Sequence, residues 1–352
     1  MKRTFALSAI LLILALLVVA CNTPVTPAAP AATPVPPTPV VVQQTVVVQQ
    51  TVVIQPTAVP TVAPTATTVP TAAPTPVAQV PSDALTQKGR LTICTDFPYP
   101  PQEFFDDNGN PAGLDIEMGT EIANRLGLKA QFVNSVFDTI IAAVKGGKCD
   151  IVISAQNITA DRQKQVSMIA YFQAGQSMVV AKGNPKGIKT PMDLCGQSAA
   201  AETGTTEADY LQGTGDYDPV KGTADSKGKG LMQQCAKAGK PAVKVVVTEK
   251  DSDALQQLQS GKVAVYFADS PVAAYYTVQH PDQFEVTGQI VEPALEGISV
   301  PCGQDDCTKA PLSPLGAAVN TALKSMLADG GYGKILTKWN LANSAIKADQ
   351  LQ

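Results

Sequence analysis

The chain has 352 residues, 26 Lys and Arg against 30 Asp and Glu, and a single His. That mild acidity argues against a nucleic-acid surface, which needs a concentrated basic face. One His, His280, leaves no material for a His-built metal centre or a Ser-His-Asp triad.

Residues 1–20 begin with Lys2-Arg3 and continue in an apolar run that ends Leu17-Val18-Val19-Ala20-Cys21. A basic start, an apolar stretch and a small residue before the cut are the parts of a secretory signal. The run is short for a transmembrane span. Its ending resembles the bacterial lipobox, which implies that Cys21 is lipidated and becomes the mature N-terminus; the competing reading is an ordinary signal or an anchor helix. A doubly acylated Cys is a stable anchor where a single chain barely holds. Removing 1–20 takes away Lys2 and Arg3, leaving 24 bases against 30 acids.

Residues 22–82 carry no charge and hold fourteen of the 28 prolines. A Val-Val-Val-Gln-Gln-Thr hexad starts at Val40, repeats at Val46 and returns with changes at Val52. Such a segment builds no core, and its prolines favour extended conformations of ~3.1 Å per residue, a reach of roughly 180 Å. We read 21–81 as a tether from lipid to domain, with local pairing of the β-prone hexads as the rival.

The folded part, 82–352, is long enough for two lobes rather than one core. Strands are expected at 91–95, 130–133, 150–153, 177–181, 198–201, 243–248, 264–267, 284–291 and 297–300. Helices are expected at 116–126, after Asp138, after Thr159, from Thr205, and at 231–238, 251–259, 271–278, 315–327 and 332–339. This alternation predicts α/β architecture with parallel sheets and helices on both faces, and ligands outside the carboxyl ends of the strands. His280, before Pro281, reads as a surface cap.

Export permits disulfides. Besides Cys21 there are six Cys. Cys302 and Cys307 could close a small loop, and Cys195 and Cys235, which bracket one region, form the second candidate pair. Cys94 and Cys149, both in or beside strands, either pair or stay as buried thiols, and the thiol form is favoured.

The chain is organised around residues 146–165, where a Gly turn leads into a buried strand and then, past Ser154, into a helix capped by Thr159. Arg162 in that first turn opposes the helix dipole, which makes sense if it turns to a bound carboxylate; a surface Arg paired with Asp161 is the alternative. Other polar segments follow strands at Thr95-Asp96-Phe97-Pro98-Tyr99, at Glu202-Thr203-Gly204-Thr205-Thr206 and at Asp269-Ser270-Pro271. Together they supply an aromatic face, an Arg, a helix start and a carboxylate, a set suited to a free α-amino acid.

In this order the segments resemble the extracellular solute-binding proteins of bacterial polar amino acid ABC importers. The matching pieces include Tyr99-x-Pro101-x-Glu103-Phe104, Gly113-Leu114-Asp115, Phe137-Asp138, Ile158-Thr159-x-x-Arg162, Gly204-Thr205-Thr206, Gly261-Lys262-Val263 and Asp329-Gly330-x-Tyr332. The match spans about Lys88 to Trp339, with an extra piece between Gly213 and Gly230. The resemblance implies the two-lobed type II periplasmic-binding-protein fold, each lobe a mostly parallel sheet flanked by helices, with two hinge crossovers. Residues 82–181 plus 294–352 would form one lobe and 182–293 the other, the chain crossing near Val180–Lys182 and Glu292–Glu296.

Carried over, the resemblance makes Arg162 the carboxylate clamp, assisted by Asn157 and Thr205. The Ala155 backbone and Asp269 would take the ammonium, Tyr99 and Phe137 would sandwich the side chain, and Ser154 would be a further substrate-binding residue. Asn157 stands where relatives usually have Ser or Thr. Asp96 and Glu202 beside the pocket favour a cationic or amide-bearing ligand; the rival is that Asp96 orients backbone and Glu202 is solvated. The implied activity is ligand capture by hinge closure and delivery to a membrane permease, by a monomer on the outer face of the cell membrane, held through lipid. No metal, cofactor or catalysis is expected. A sensor or adaptor, or an enzyme such as a dehydratase on the same fold, is the alternative.

Overall fold

The structure, a computed structural model, describes residues 76–214, 217–218, 223–224, 230–288 and 294–351. The expected signal, the lipidation expected at Cys21 and the expected tether up to residue 75 lie outside the described residues, whereas Ala78 and Val80 at the tether's end pack against the core of the first lobe, so the tether is shorter than 21–81. No helix among the described residues is long and apolar enough to cross a membrane.

The first sheet is built from β1 (Arg90–Thr95), β2 (Lys129–Asn134), β3 (Ile151–Val152) and β4 (Ser167–Ala174). The second takes β5 (Gln176–Ala181), β6 (Ser198–Glu202), β7 (Lys244–Thr248), β8 (Val265–Asp269) and β9 (Phe284–Thr287). β10 (Ala294–Val300) then returns to the first. The orders are β2-β1-β3-β10-β4 and β7-β6-β8-β5-β9. Within each sheet one strand runs against the rest, β10 in the first and β5 in the second, so both sheets are mostly parallel, as expected. Each reversed strand is the one that has just crossed from the other lobe.

The expected first crossing near Val180–Lys182 is corrected. Gln176–Ala181 pairs with β8 and β9, so it belongs to the second lobe and the chain crosses at Gly175. The run 177–181 looks the same from sequence whichever sheet it joins, because both of its faces are buried. The second crossing falls partly on 289–293, outside the described residues, as does the end of the strand expected to reach Val291. β4 was not expected as a strand.

Helices α1 (Leu114–Arg125), α2 (Ile140–Lys145) and α3 (Ala160–Gln165) belong to the first lobe. The second lobe has α4 (Thr206–Gln212), α5 (Leu231–Lys237), α6 (Asp251–Gln259) and α7 (Ser270–Gln279), and α8 (Pro314–Ala328) and α9 (Gly331–Lys338) close the chain on the first. Strand alternation sends the two rows of each central strand into separate cores. Leu91 and Ile93 of β1 join Leu114, Met118 and Ile122 of α1 and Val319 and Leu323 of α8, whereas Cys94 joins Ile140 and Val144 of α2. In the second lobe Ala199 and Ala201 face Tyr210 and Leu231, and Ala200 faces Leu255 and Val272. The Ala-rich β6 lets both helical layers sit close to the sheet.

Asp138 does not cap α2. A tight turn, Phe137–Thr139, precedes the helix, and Thr139 occupies the cap position without a side-chain bond. The structure joins Cys195 to Cys235 and Cys302 to Cys307, and it also joins Cys94 to Cys149, against the thiol expectation. The reason is register: Cys94 pairs with Val152 across β1 and β3, which places Cys149 at a Cα separation of 5.7 Å.

Candidate functional site

The carboxyl ends of β1 and β3 on one lobe face those of β6, β7 and β8 on the other. A small cavity of about 10 Å3 between them is lined by Asp96, Pro98, Tyr99, Glu103, Phe137, Ser154, Ala155, Asn157, Glu202, Thr205, Glu207 and Asp269. Every expected site residue except Arg162 is in that lining. Arg162 stands beside it. Its guanidinium lies 5.3 Å from the Phe137 ring centroid and donates to the Asn157 carbonyl at 2.8 Å and to the Gly204 carbonyl at 2.9 Å.

Local sequence explains these placements. Thr159 caps α3, accepting from the Arg162 N–H at 3.2 Å, so the cap that starts the helix also fixes the backbone of the Arg. Replacing Thr159 with Ala should cost about 1 kcal/mol in urea denaturation, and an unchanged midpoint would show the cap to be idle. Thr205 caps α4 in the same way, through the Ala208 N–H. Ala155 holds φ at 45°, a left-handed geometry that turns the chain sharply past Ser154. Its N–H donates to Asp115 at 3.0 Å, which leaves only its carbonyl for a ligand. Gly204 has φ at 78°, and a Cβ there would stand 2.8 Å from the Asp138 Cα across the cleft, so only Gly permits this approach.

Side-chain links cross between the lobes. Tyr99 donates to Asp269 Oδ2 at 2.8 Å and accepts from the Asp269 N–H at 3.2 Å. Thr206 donates to Asn157 Oδ1 at 2.7 Å. Asp96 is paired with Lys250, while its other oxygen accepts from the Phe137 N–H at 2.6 Å. Ser154 accepts from the Asp96 N–H and donates to Glu103 at 2.5 Å, so its hydroxyl is already engaged within its own lobe. Asp96 thus orients backbone, as the blander reading held, and also holds a cation. Glu202 is 6% exposed, which corrects the idea that it is solvated.

The site is acidic. Burial pushes the Asp269 carboxyl up to about 6, against the Tyr99 hydrogen bond and the Arg162 charge. Burial, followed by the charges of Asp251 and Asp96, pushes Glu202 up to about 10. Burial also raises Glu207, next to Asp269, and Glu103, next to Asp115, well above the usual carboxylate range. Asn157 Nδ2 is buried without a hydrogen-bond partner, whereas Glu207 and Asp269 share a side-chain hydrogen bond that lowers the Asp269 pKa. An unpartnered buried donor suits a ligand that carries an acceptor group. Among the described residues, no cluster of His, Cys, Asp or Glu is arranged to hold a metal ion.

Sequence reasoning did not assign Glu103, Glu207 or Lys250 to the site. Glu207 follows Gly204-Thr205-Thr206 in the first turn of α4. Lys250 lies two residues past the end of β7, so the rule that picked out the other strand ends would have found it.

Known proteins align with this arrangement. The chain is similar to ABC transporter arginine-binding protein 1 of Escherichia coli (strain K12), 28% identical over 241 residues that cover 68% of this chain and 86% of that protein. Its structure is similar to that of an ancestral arginine-binding protein bound to arginine, with a TM-score of 0.60, 34% identity and coverage of 72% of this chain and 98% of that one. It is also similar to the ancestral amino acid-binding protein AncCDT-1, a precursor of cyclohexadienyl dehydratase, with a TM-score of 0.56, 32% identity and coverage of 71% and 95%. A sequence model of the bacterial extracellular solute-binding proteins, family 3, matches residues 91–342, and the chain belongs to that family.

Proposed function

We propose that the chain captures a free amino acid with a cationic or amide-bearing side chain, closes its two lobes on it and delivers it to a membrane permease. The observation that carries this reading is the lining: among the described residues, five carboxylates, Asp96, Glu103, Glu202, Glu207 and Asp269, meet in one largely buried cavity. Concentrated buried acid disfavours an anionic side chain and favours a ligand that brings positive charge. The relatives named for arginine bear on the same choice.

In this reading Arg162 exchanges its two neutral carbonyl partners for the ligand carboxylate, a stronger charge-assisted fork. Asn157 and Thr205 assist it. Asp269, Glu207 and the Ala155 carbonyl receive the ammonium, and Tyr99 and Phe137 flank the side chain, whose far end meets Asp96 and Glu202. Arg162, Thr206, Tyr99 and Lys250 already bond across the cleft, so closure needs no new kind of contact. Lipidation at Cys21 and the tether that follows it would hold a monomer at the outer face of the membrane, within reach of its permease.

Isothermal titration of the chain against the twenty amino acids tests the proposal. Micromolar or tighter binding of arginine, lysine or glutamine is the expected result, and no heat with any amino acid would sink it. A dehydratase reading draws on Glu202, held protonated in the cleft, and on the likeness to AncCDT-1. It requires turnover, whereas capture predicts that the bound ligand is recovered with its mass unchanged.

A further inference from the structure

Lys250 belongs to none of the segments from which the amino-acid site was read. It lies on the second lobe, between β7 and the first residue of α6, and its ammonium pairs with Asp96 on the first. The Asp96 side chain is 5% exposed and that of Lys250 is 23% exposed. The carboxylate is therefore committed to the cleft, while the Lys stem has a path to water. The Lys250 charge also reaches Glu202, where it opposes the effect of burial. Asp96 and Glu202 are the carboxylates assigned above to the far end of the ligand side chain, and the protein already presents a cation of its own to them.

We propose that Lys250 is a specificity-determining residue whose ammonium competes with the distal cation of the ligand for Asp96. A neutral polar side chain leaves the Lys250–Asp96 pair in place and binds with that cross-lobe link intact. A guanidinium or ammonium has to displace Lys250, which swings into solvent and recovers its hydration. The cleft then binds long cationic amino acids less tightly than its bare carboxylates would, and the margin between arginine and glutamine is set from the opposite lobe. This inference rests on the amino-acid reading of the cleft.

The test is titration of the wild-type chain, Lys250→Met and Lys250→Arg with L-arginine and L-glutamine, with a thermal melt confirming that each is folded. In Lys250→Met the ratio of arginine to glutamine affinity should rise roughly tenfold, a change of about 1.4 kcal/mol. Lys250→Arg, which keeps a cation on Asp96, should hold the ratio near that of the wild type. Should Lys250→Met fail to fold, Lys250→Gln makes the same comparison. An unchanged or reduced ratio overturns the proposal, including the case in which both affinities fall together because the pair only holds the lobes shut. If the wild type binds no amino acid, the amino-acid reading fails and this inference falls with it. If the wild type binds but the ratio does not move, only the role of Lys250 fails.

Discussion

Arg162→Ala is expected to abolish amino-acid binding while leaving the chain folded. The loss should lie between about thirtyfold and several thousandfold in affinity, since removing one partner of a buried charge pair costs about 2–5 kcal/mol. The fold should survive because water at the cleft can replace the bonds that Arg162 donates to the Asn157 and Gly204 carbonyls, and Asp269, already raised to about 6 by burial, can take up a proton when the Arg162 charge is removed. Arg162→Lys separates charge from shape. A Lys keeps the charge but loses the planar fork, so it should restore only part of the affinity. Titration alongside a thermal melt checks both variants. A melt that collapses in Arg162→Ala would make the residue structural, and undiminished binding would remove it from the site altogether.

The sequence carried the architecture because the two lobes alternate strand and helix with few irregularities. Helix 251–259 and the Thr159 and Thr205 caps are where local patterning placed them. What stayed illegible was tertiary. Residues 177–181 are apolar on both faces, so nothing local says which sheet they enter. β4 contains Ser167, Tyr171 and Gln173, which hide the apolar run expected of a buried strand, although Tyr171 is in fact satisfied by Asp115 at 2.8 Å. Cys94 and Cys149 are 55 residues apart and meet only through strand register. The aromatic and carboxylate sides of the cavity were legible from strand ends. Lys250 also follows a strand end, but its role was not legible there, because that role lies in a partner 154 residues away on the other lobe.

The ligand-free protein should lose stability as pH rises from 5 to 8, the reverse of a protein whose carboxylates are ion-paired. Asp251, at the start of α6, shows the sign. Its carboxylate is buried with the Tyr266 hydroxyl at 2.6 and 2.7 Å, and burial pushes its pKa from 3.8 up to about 7, the Tyr266 bond opposing and the charges of Asp269 and Asp96 adding. Between those values the folded chain holds a proton that the unfolded chain has released, so raising pH favours unfolding across that window. At about 1.4 kcal/mol per pH unit the effect is on the order of 4 kcal/mol and is complete above about pH 7. Asp269, raised to about 6, acts in the same direction up to that pH, and Glu202, raised to about 10, carries the fall further. Asp251→Asn removes the desolvated charge, so it should flatten the slope between pH 4 and 7 and stabilise the protein at pH 8. A cationic amino acid should work the other way. It favours the ionised carboxylates and releases their protons, so the melting shift it gives should be larger at pH 8 than at pH 5. Melts across this range, with and without arginine, decide the matter. A ligand-free midpoint that climbs from pH 5 to 8 would mean the carboxylates are already balanced by cations, and the acidic cleft would then give no reason to prefer a cationic ligand.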